Sequence, residues 1–108
     1  MAYNIEETQD IPYAAWLDSI PGFGRSRCYQ LVETAGSARN AYEMPDSDIA
    51  FLLGAKALAV WQQHRKLKEP KALYETYLHQ GISYVYYKSK AYPQKLQNIP
   101  DPPFGIYY

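Results

Sequence analysis

Apolar residues recur at helical spacing from about Ile11 to Leu78, then crowd into two short β-rich runs near the end of the chain. Ala14, Ala15, Trp16, Leu17 and Ile20 supply the apolar side of a first helix. Asp10 is placed to cap it at Ile11–Pro12, with the polar, acidic residues before it frayed. Pro21-Gly22-Phe23-Gly24 stops that helix, because two glycines and a proline do not continue one cheaply. In the second helix, Cys28, Leu31, Val32 and Ala35 fall at i, i+3, i+4 and i+7 and form one apolar stripe, which Gly36 ends. Ser37 can cap a short helix through Ala38, Ala41 and Tyr42. Pro45-Asp46-Ser47-Asp48 starts another, with Ile49, Phe51, Leu52 and Leu53 as its apolar positions before Gly54. A longer helix follows from Ala55, with Ala57, Leu58, Trp61 and Leu67 inward. Pro70 interrupts or restarts it, and Leu73, Tyr74, Tyr77 and Leu78 continue the pattern to Gly81.

The pattern changes at Ile82. Ile82-Ser83-Tyr84-Val85-Tyr86-Tyr87 is β-branched and aromatic and reads as a strand. Tyr92-Pro93 opens a helical turn through Leu96 and Ile99. Pro100-Asp101-Pro102-Pro103 is an extended loop, since proline blocks both helix and ladder, and Phe104–Tyr108 reads as a second strand. The expectation is a mainly α chain: a compact bundle of about five helices over 1–81, then a two-stranded β segment over 82–108. Two short strands with open edges make a poor sheet alone, so 82–108 is expected to begin a larger sheet in a longer protein.

Composition narrows the class. Apolar residues make up 47% of the 108 positions and charged residues 20%, as in a soluble globular protein. A single cysteine, Cys28, cannot form an internal disulfide, and its place on the apolar stripe makes it a core residue. No secretion signal and no apolar run long enough for a membrane span occur, so a cytoplasmic protein without membrane contact is expected. Twelve tyrosines suit shallow cores and interfaces alike, because each packs a ring while keeping a polar tip. The net charge is zero, but the acids cluster before Ile49 and the bases after it. The densest basic stretch, Arg65, Lys66, Lys68 and Lys71, reads as a solvated helix end.

Catalytic and metal chemistry find little support. His64 and His79 lack acid or cysteine partners at ligand spacing, and no Cys-x-x-Cys or His-Glu-x-x-His occurs. Gly22-x-Gly24 follows a helix and lacks a third glycine, so it is no dinucleotide fingerprint. The expectation is therefore a non-enzymatic chain without cofactor. The sharpest local signal is Ile20-Pro21-Gly22-Phe23-Gly24 between two amphipathic helices, which resembles the hairpin of helix-hairpin-helix modules. Its glycines let the chain turn tightly and present amides at a helix N-terminus, where a phosphate can sit. Arg25 and Arg27 would add charge there. The same turn also serves as plain helix–helix geometry. Leu52-Leu53-Gly54-Ala55-Lys56 looks like a degenerate second hairpin, and tandem hairpins build a compact SAM-like unit. The candidate phosphate-contacting residues are Gly22, Gly24, Arg25, Arg27 and Lys56.

The C-terminal segment carries a more specific likeness. Ala91-Tyr92-Pro93-Gln94-Lys95-Leu96-Gln97-Asn98-Ile99-Pro100-Asp101-Pro102-Pro103-Phe104-Gly105-Ile106-Tyr107 follows Gly81-Ile82, with the Ile20–Gly24 hairpin upstream. In that order they resemble the N-terminal part of the DprA/Smf family of bacterial DNA-processing proteins. The resemblance implies a SAM-like helical domain over 1–81 and the first strands of a truncated Rossmann-like domain over 82–108. It also implies a role in DNA uptake and natural transformation. The partners implied are single-stranded DNA, reached mainly through the rest of the Rossmann-like domain, and the RecA recombinase. On this reading the module is an accessory unit that contacts proteins, with self-association as one form of contact, and positions the next domain. Weak, non-specific phosphate binding through the Pro21–Arg27 hairpin is the alternative.

Overall fold

Burial carries the first helix through a proline. In the computed structural model, which describes the backbone of residues 5–108 and the side chains of residues 9–108, helix α1 spans Ile5–Asp18. The expected start at Ile11, with Asp10 as cap, is thus overturned, as is the fraying expected of the residues before it from Ile5 on; the fraying expected of residues 1–4 lies outside the described residues. Pro12 sits inside α1 and forfeits one backbone hydrogen bond, but Ala14, Ala15, Trp16 and Leu17 just after it are fully buried. Burying large apolar side chains at about 1.5–3 kcal/mol each outweighs that loss.

Local signals set the next elements. α2 covers Gly24–Ala35 and ends on Gly36 in the left-handed conformation. α3 covers Ala38–Tyr42, and Ser37 caps it by accepting from the Asn40 amide at 3.0 Å. α4 (Asp46–Leu53) and α5 (Ala55–Leu67) are joined through Gly54 alone, whose φ of 93° turns the chain between them. Pro70 takes the first turn of α6 (Pro70–His79), where Glu69 accepts from the Lys71 and Ala72 amides. Among the described residues the helical part therefore holds six helices, against an expectation of about five, with Pro70 starting a helix of its own.

Two inward assignments differ from expectation. Phe51 on α4 is 89% exposed and Leu67 on α5 is 67% exposed, while His64 takes the inward place on the last turn of α5. Among the described residues no element packs over the Phe51 side of α4, and α5 meets α1 through Trp61, which lies edge-on to Trp16 at 5.0 Å. Trp16 is the better anchored of the two: its Nε1 donates to the Lys68 carbonyl at 2.9 Å.

Strand β1 (Tyr84–Tyr86) pairs antiparallel with β2 (Gly105–Tyr107), with Val85 opposite Ile106. Bonds between Ser83 and Tyr108 and from Tyr87 to Phe104 extend the ladder. Between the strands, α7 (Gln94–Gln97) forms a single short turn. The change of secondary structure after Gly81 is no break in the core, because Tyr84, Tyr86 and Phe104 share one buried cluster with Trp16, Leu17 and Trp61. Alternation sends Tyr84 and Tyr86 to the same face, onto α1. There Tyr84 donates to Asp18 at 2.9 Å and Tyr86 donates to Asp10, two carboxylates roughly two helical turns apart. Asp10 also accepts from the Arg39 amide at 2.7 Å and the Ala38 amide at 3.3 Å, so it caps α3 from a distance.

Two substitutions check this packing. Asp10→Ala strands a buried tyrosine hydroxyl and two amides and is expected to cost about 3 kcal/mol in urea unfolding, with Asp10→Asn costing less. A Cβ on Gly105 would overlap the Tyr84 phenol, so Gly105→Ala is expected to lower stability by about 1–3 kcal/mol, recovered in part by Tyr84→Phe in the same chain.

Candidate functional site

The hairpin occupies Ser19–Phe23 between α1 and α2. Gly22 (φ 76°) and Gly24 (φ 70°) both adopt the left-handed conformation, as the sequence pattern requires, and both are exposed. Phe23 inserts into the core, 4% exposed, with its ring stacked 6.3 Å from Trp61, and thereby seats the turn on α5. No side chain caps the start of α2 or of α5, which leaves both first turns open.

The two hairpin arginines are occupied in different ways. Arg25 pairs with Asp101 at 3.5 Å, a solvent-exposed contact of small energy. Arg27 lies over the Phe23 ring at 5.5 Å. Lys56 is exposed in the first turn of α5. Of Gly22, Gly24, Arg25, Arg27 and Lys56, only Arg25 lines the cleft described next. In the basic stretch, Arg65 is structural: its Nη1 donates to the Tyr42 carbonyl at 2.5 Å and its guanidinium covers the Tyr42 ring at 4.0 Å. Lys66, Lys68 and Lys71 are exposed around the α5–α6 junction, as a solvated helix end would be.

Beside the hairpin lies a cleft of about 320 Å³ that the sequence pattern did not reveal. Arg25, Ser26 and Tyr29 of α2 form one wall. Tyr87, Tyr92, Gln97, Asp101 and Pro102 form the other. The walls are fastened together by the Tyr29 hydroxyl, which donates to the carbonyls of Pro102 (3.2 Å) and Pro103 (3.3 Å), and the second wall is folded onto itself by Tyr92, which donates to Pro103 at 2.5 Å. Tyr87 donates to Glu33, and its ring lies 4.5 Å from that of Tyr29. Burial raises the pKa of all three tyrosines, with Glu33 adding to the shift at Tyr87, so they stay protonated donors at neutral pH. Asp101, at the rim, holds a φ of 54°. The tyrosine count was the only sequence signal for this cluster, and it did not say which rings would meet.

Elsewhere the polar side chains are structural. Ser19 Oγ lies 2.8 Å from His64 Nε2, but the Ser19 hydroxyl donates to the Trp16 carbonyl at 2.7 Å. Its oxygen therefore accepts from the imidazole and is not activated as a nucleophile. Burial pushes the Cys28 thiol up to about 12, with the Asp18 charge adding to the effect, so thiolate is scarce at neutral pH. Among the described residues no group of three or more histidine, cysteine or acidic side chains is arranged to hold a metal, and no helix is long and apolar enough to cross a membrane. The chain matches no protein-family model, no curated protein and no solved structure.

Burial, followed by the nearby Lys68 charge, holds the His64 imidazole below the usual histidine value. The unfolded chain therefore binds a proton more readily than the folded one. Stability is complete above about pH 6.5 and falls as pH drops from there toward the lowered folded value. Urea midpoints measured between about pH 7.5 and 5.5 are expected to fall, and His64→Gln to flatten that dependence.

Proposed function

We propose that this chain is the N-terminal accessory module of a DNA-processing protein similar to the DprA/Smf family, working through protein contacts and by positioning the domain that follows. One observation carries the reading. The two segments that hold the resemblance, the hairpin with α2 and the Tyr92–Pro103 linker, lie far apart in sequence and are fastened to each other. Arg25 pairs with Asp101, and Tyr29 donates to the Pro102 and Pro103 carbonyls, while Tyr92 ties the linker to itself through Pro103. A linker clamped along α2 fixes where β2 enters its pairing with β1, and so fixes the direction in which the chain leaves the module. On this reading the following domain is Rossmann-like and carries the main single-stranded DNA site. RecA and a second copy of the chain are the protein partners, the chain itself catalyses no reaction, and the compartment is the cytoplasm.

A second reading, weak phosphate binding, draws on the open first turns of α2 and α5 and on exposed Gly22, Gly24 and Lys56. It is the weaker, because the Asp101 carboxylate stands beside Arg25 and offsets its charge, and Arg27 lies over the Phe23 ring. One experiment separates the two. RecA and free chain are passed over immobilised chain, beside a titration of fluorescent single-stranded oligonucleotide at two salt concentrations. Retention of a protein partner without oligonucleotide binding is the expected result. Binding that weakens steeply with salt, and disappears when Arg25→Ala and Arg27→Ala are combined, would move the function to phosphate contact. Neither activity would sink the accessory-module reading.

A further inference from the structure

Helix α5 carries a second stripe, on the side away from the core. Ala57, Trp61 and His64 are buried, whereas Lys56, Ala59, Val60, Gln63, Lys66 and Leu67 recur at three- and four-residue spacing along the opposite, exposed side. The helix contains no acidic residue, so this outward stripe is apolar between lysines. Helix α4, which packs on α5, carries the complement. It exposes Phe51 almost fully, with exposed Asp48 one turn before it. Among the described residues Asp48, Lys56 and Lys66 take part in no ion pair.

The spacings of the two stripes match. With the helices antiparallel, Phe51 of one copy set over Gln63 of another falls between Val60 and Leu67. That placement brings Asp48 onto Lys66, because each charge lies three residues, about 4.5 Å, from the apolar centre. The carbonyl end of α4 then runs toward Lys56, whose charge suits it. Every copy carries both halves of this contact, and a chain of net charge zero does not repel its own copies. Other occupants fit less well. A nucleic-acid strand gains nothing from Phe51, Val60 and Leu67, and such a strand or an anionic membrane would bring phosphates toward Asp46 and Asp48, both exposed. We propose that α4 and α5 form a self-association surface, on which Phe51 of one copy packs between Val60 and Leu67 of another and Asp48 pairs with Lys66. The proposal rests on the accessory-module reading and gives its self-contact a place and a chemistry. So small an apolar contact stays below the roughly 800 Å² per partner of stable interfaces, and a weak dimer results, with a Kd on the order of 100 μM.

The test is sedimentation equilibrium of the 108-residue chain from about 10 μM to 1 mM at low and high salt. A reversible dimer that weakens as salt rises is expected. Phe51→Ser, at an exposed position, should raise the dimer Kd about tenfold or more without lowering the melting temperature. Asp48→Lys and Lys66→Asp should each weaken the dimer, and the two together in one chain should restore it, which a merely structural role for either residue would not produce. A chain that stays monomeric throughout, a dimer indifferent to Phe51→Ser, or a charge exchange that restores nothing would each overturn the proposal. So would a monomer that binds oligonucleotide or phosphatidylglycerol vesicles through Phe51. RecA retained by immobilised chain that does not dimerise would overturn the surface and leave the accessory reading standing. A dimer dissolved by Phe51→Ser, beside salt-sensitive oligonucleotide binding lost on combining Arg25→Ala with Arg27→Ala, would do the reverse.

Discussion

The Asp10 carboxylate, buried on α1, holds three parts of the chain together. It accepts two amides at the start of α3 and the hydroxyl of Tyr86 from β1. A carboxylate removed from water requires such partners, and α3 gains a negative charge where its first amides converge. The helix bearing Asp10 must therefore run past Pro12, and the strand bearing Tyr86 must lie along that helix. Roughly two turns further on, Asp18 makes the same kind of tie to Tyr84, with burial raising its pKa. Sheet and bundle are thus registered on α1 by two tyrosine–carboxylate contacts, with Trp16, Leu17 and Trp61 filling the space between.

The same use of tyrosine extends to the surface. A phenol ring can complete an apolar cluster while its hydroxyl meets a carboxylate or a free carbonyl, and Tyr29, Tyr87 and Tyr92 do this along one edge of α2. The consequence for function lies in how the hairpin is used. Its glycines make the turn, its phenylalanine seats that turn on α5, and its first arginine turns toward the proline linker. A motif whose spacing suggests phosphate contact here braces one segment against another, and an open aromatic cleft is left beside the brace.

The sequence by itself determined the features that depend on neighbours a few residues away. Gly36 and Gly54 as helix ends, Ser37 as the cap of α3, Pro70 at the start of α6, the left-handed glycines of the hairpin and the two short strands all follow from local backbone chemistry. The mainly helical class and the burial of Cys28, Leu31 and Val32 follow from periodicity over a few turns. Only the tertiary structure decided that Asp10 caps α3 instead of its own helix, that His64 lies inside while Leu67 and Phe51 face solvent, and that Tyr29, Tyr92 and Pro102 enclose a cleft. Periodicity marks an apolar face without saying whether anything covers it. Pairing between residues many positions apart depends on where whole elements come to rest, and no local hydrogen-bonding rule extends that far.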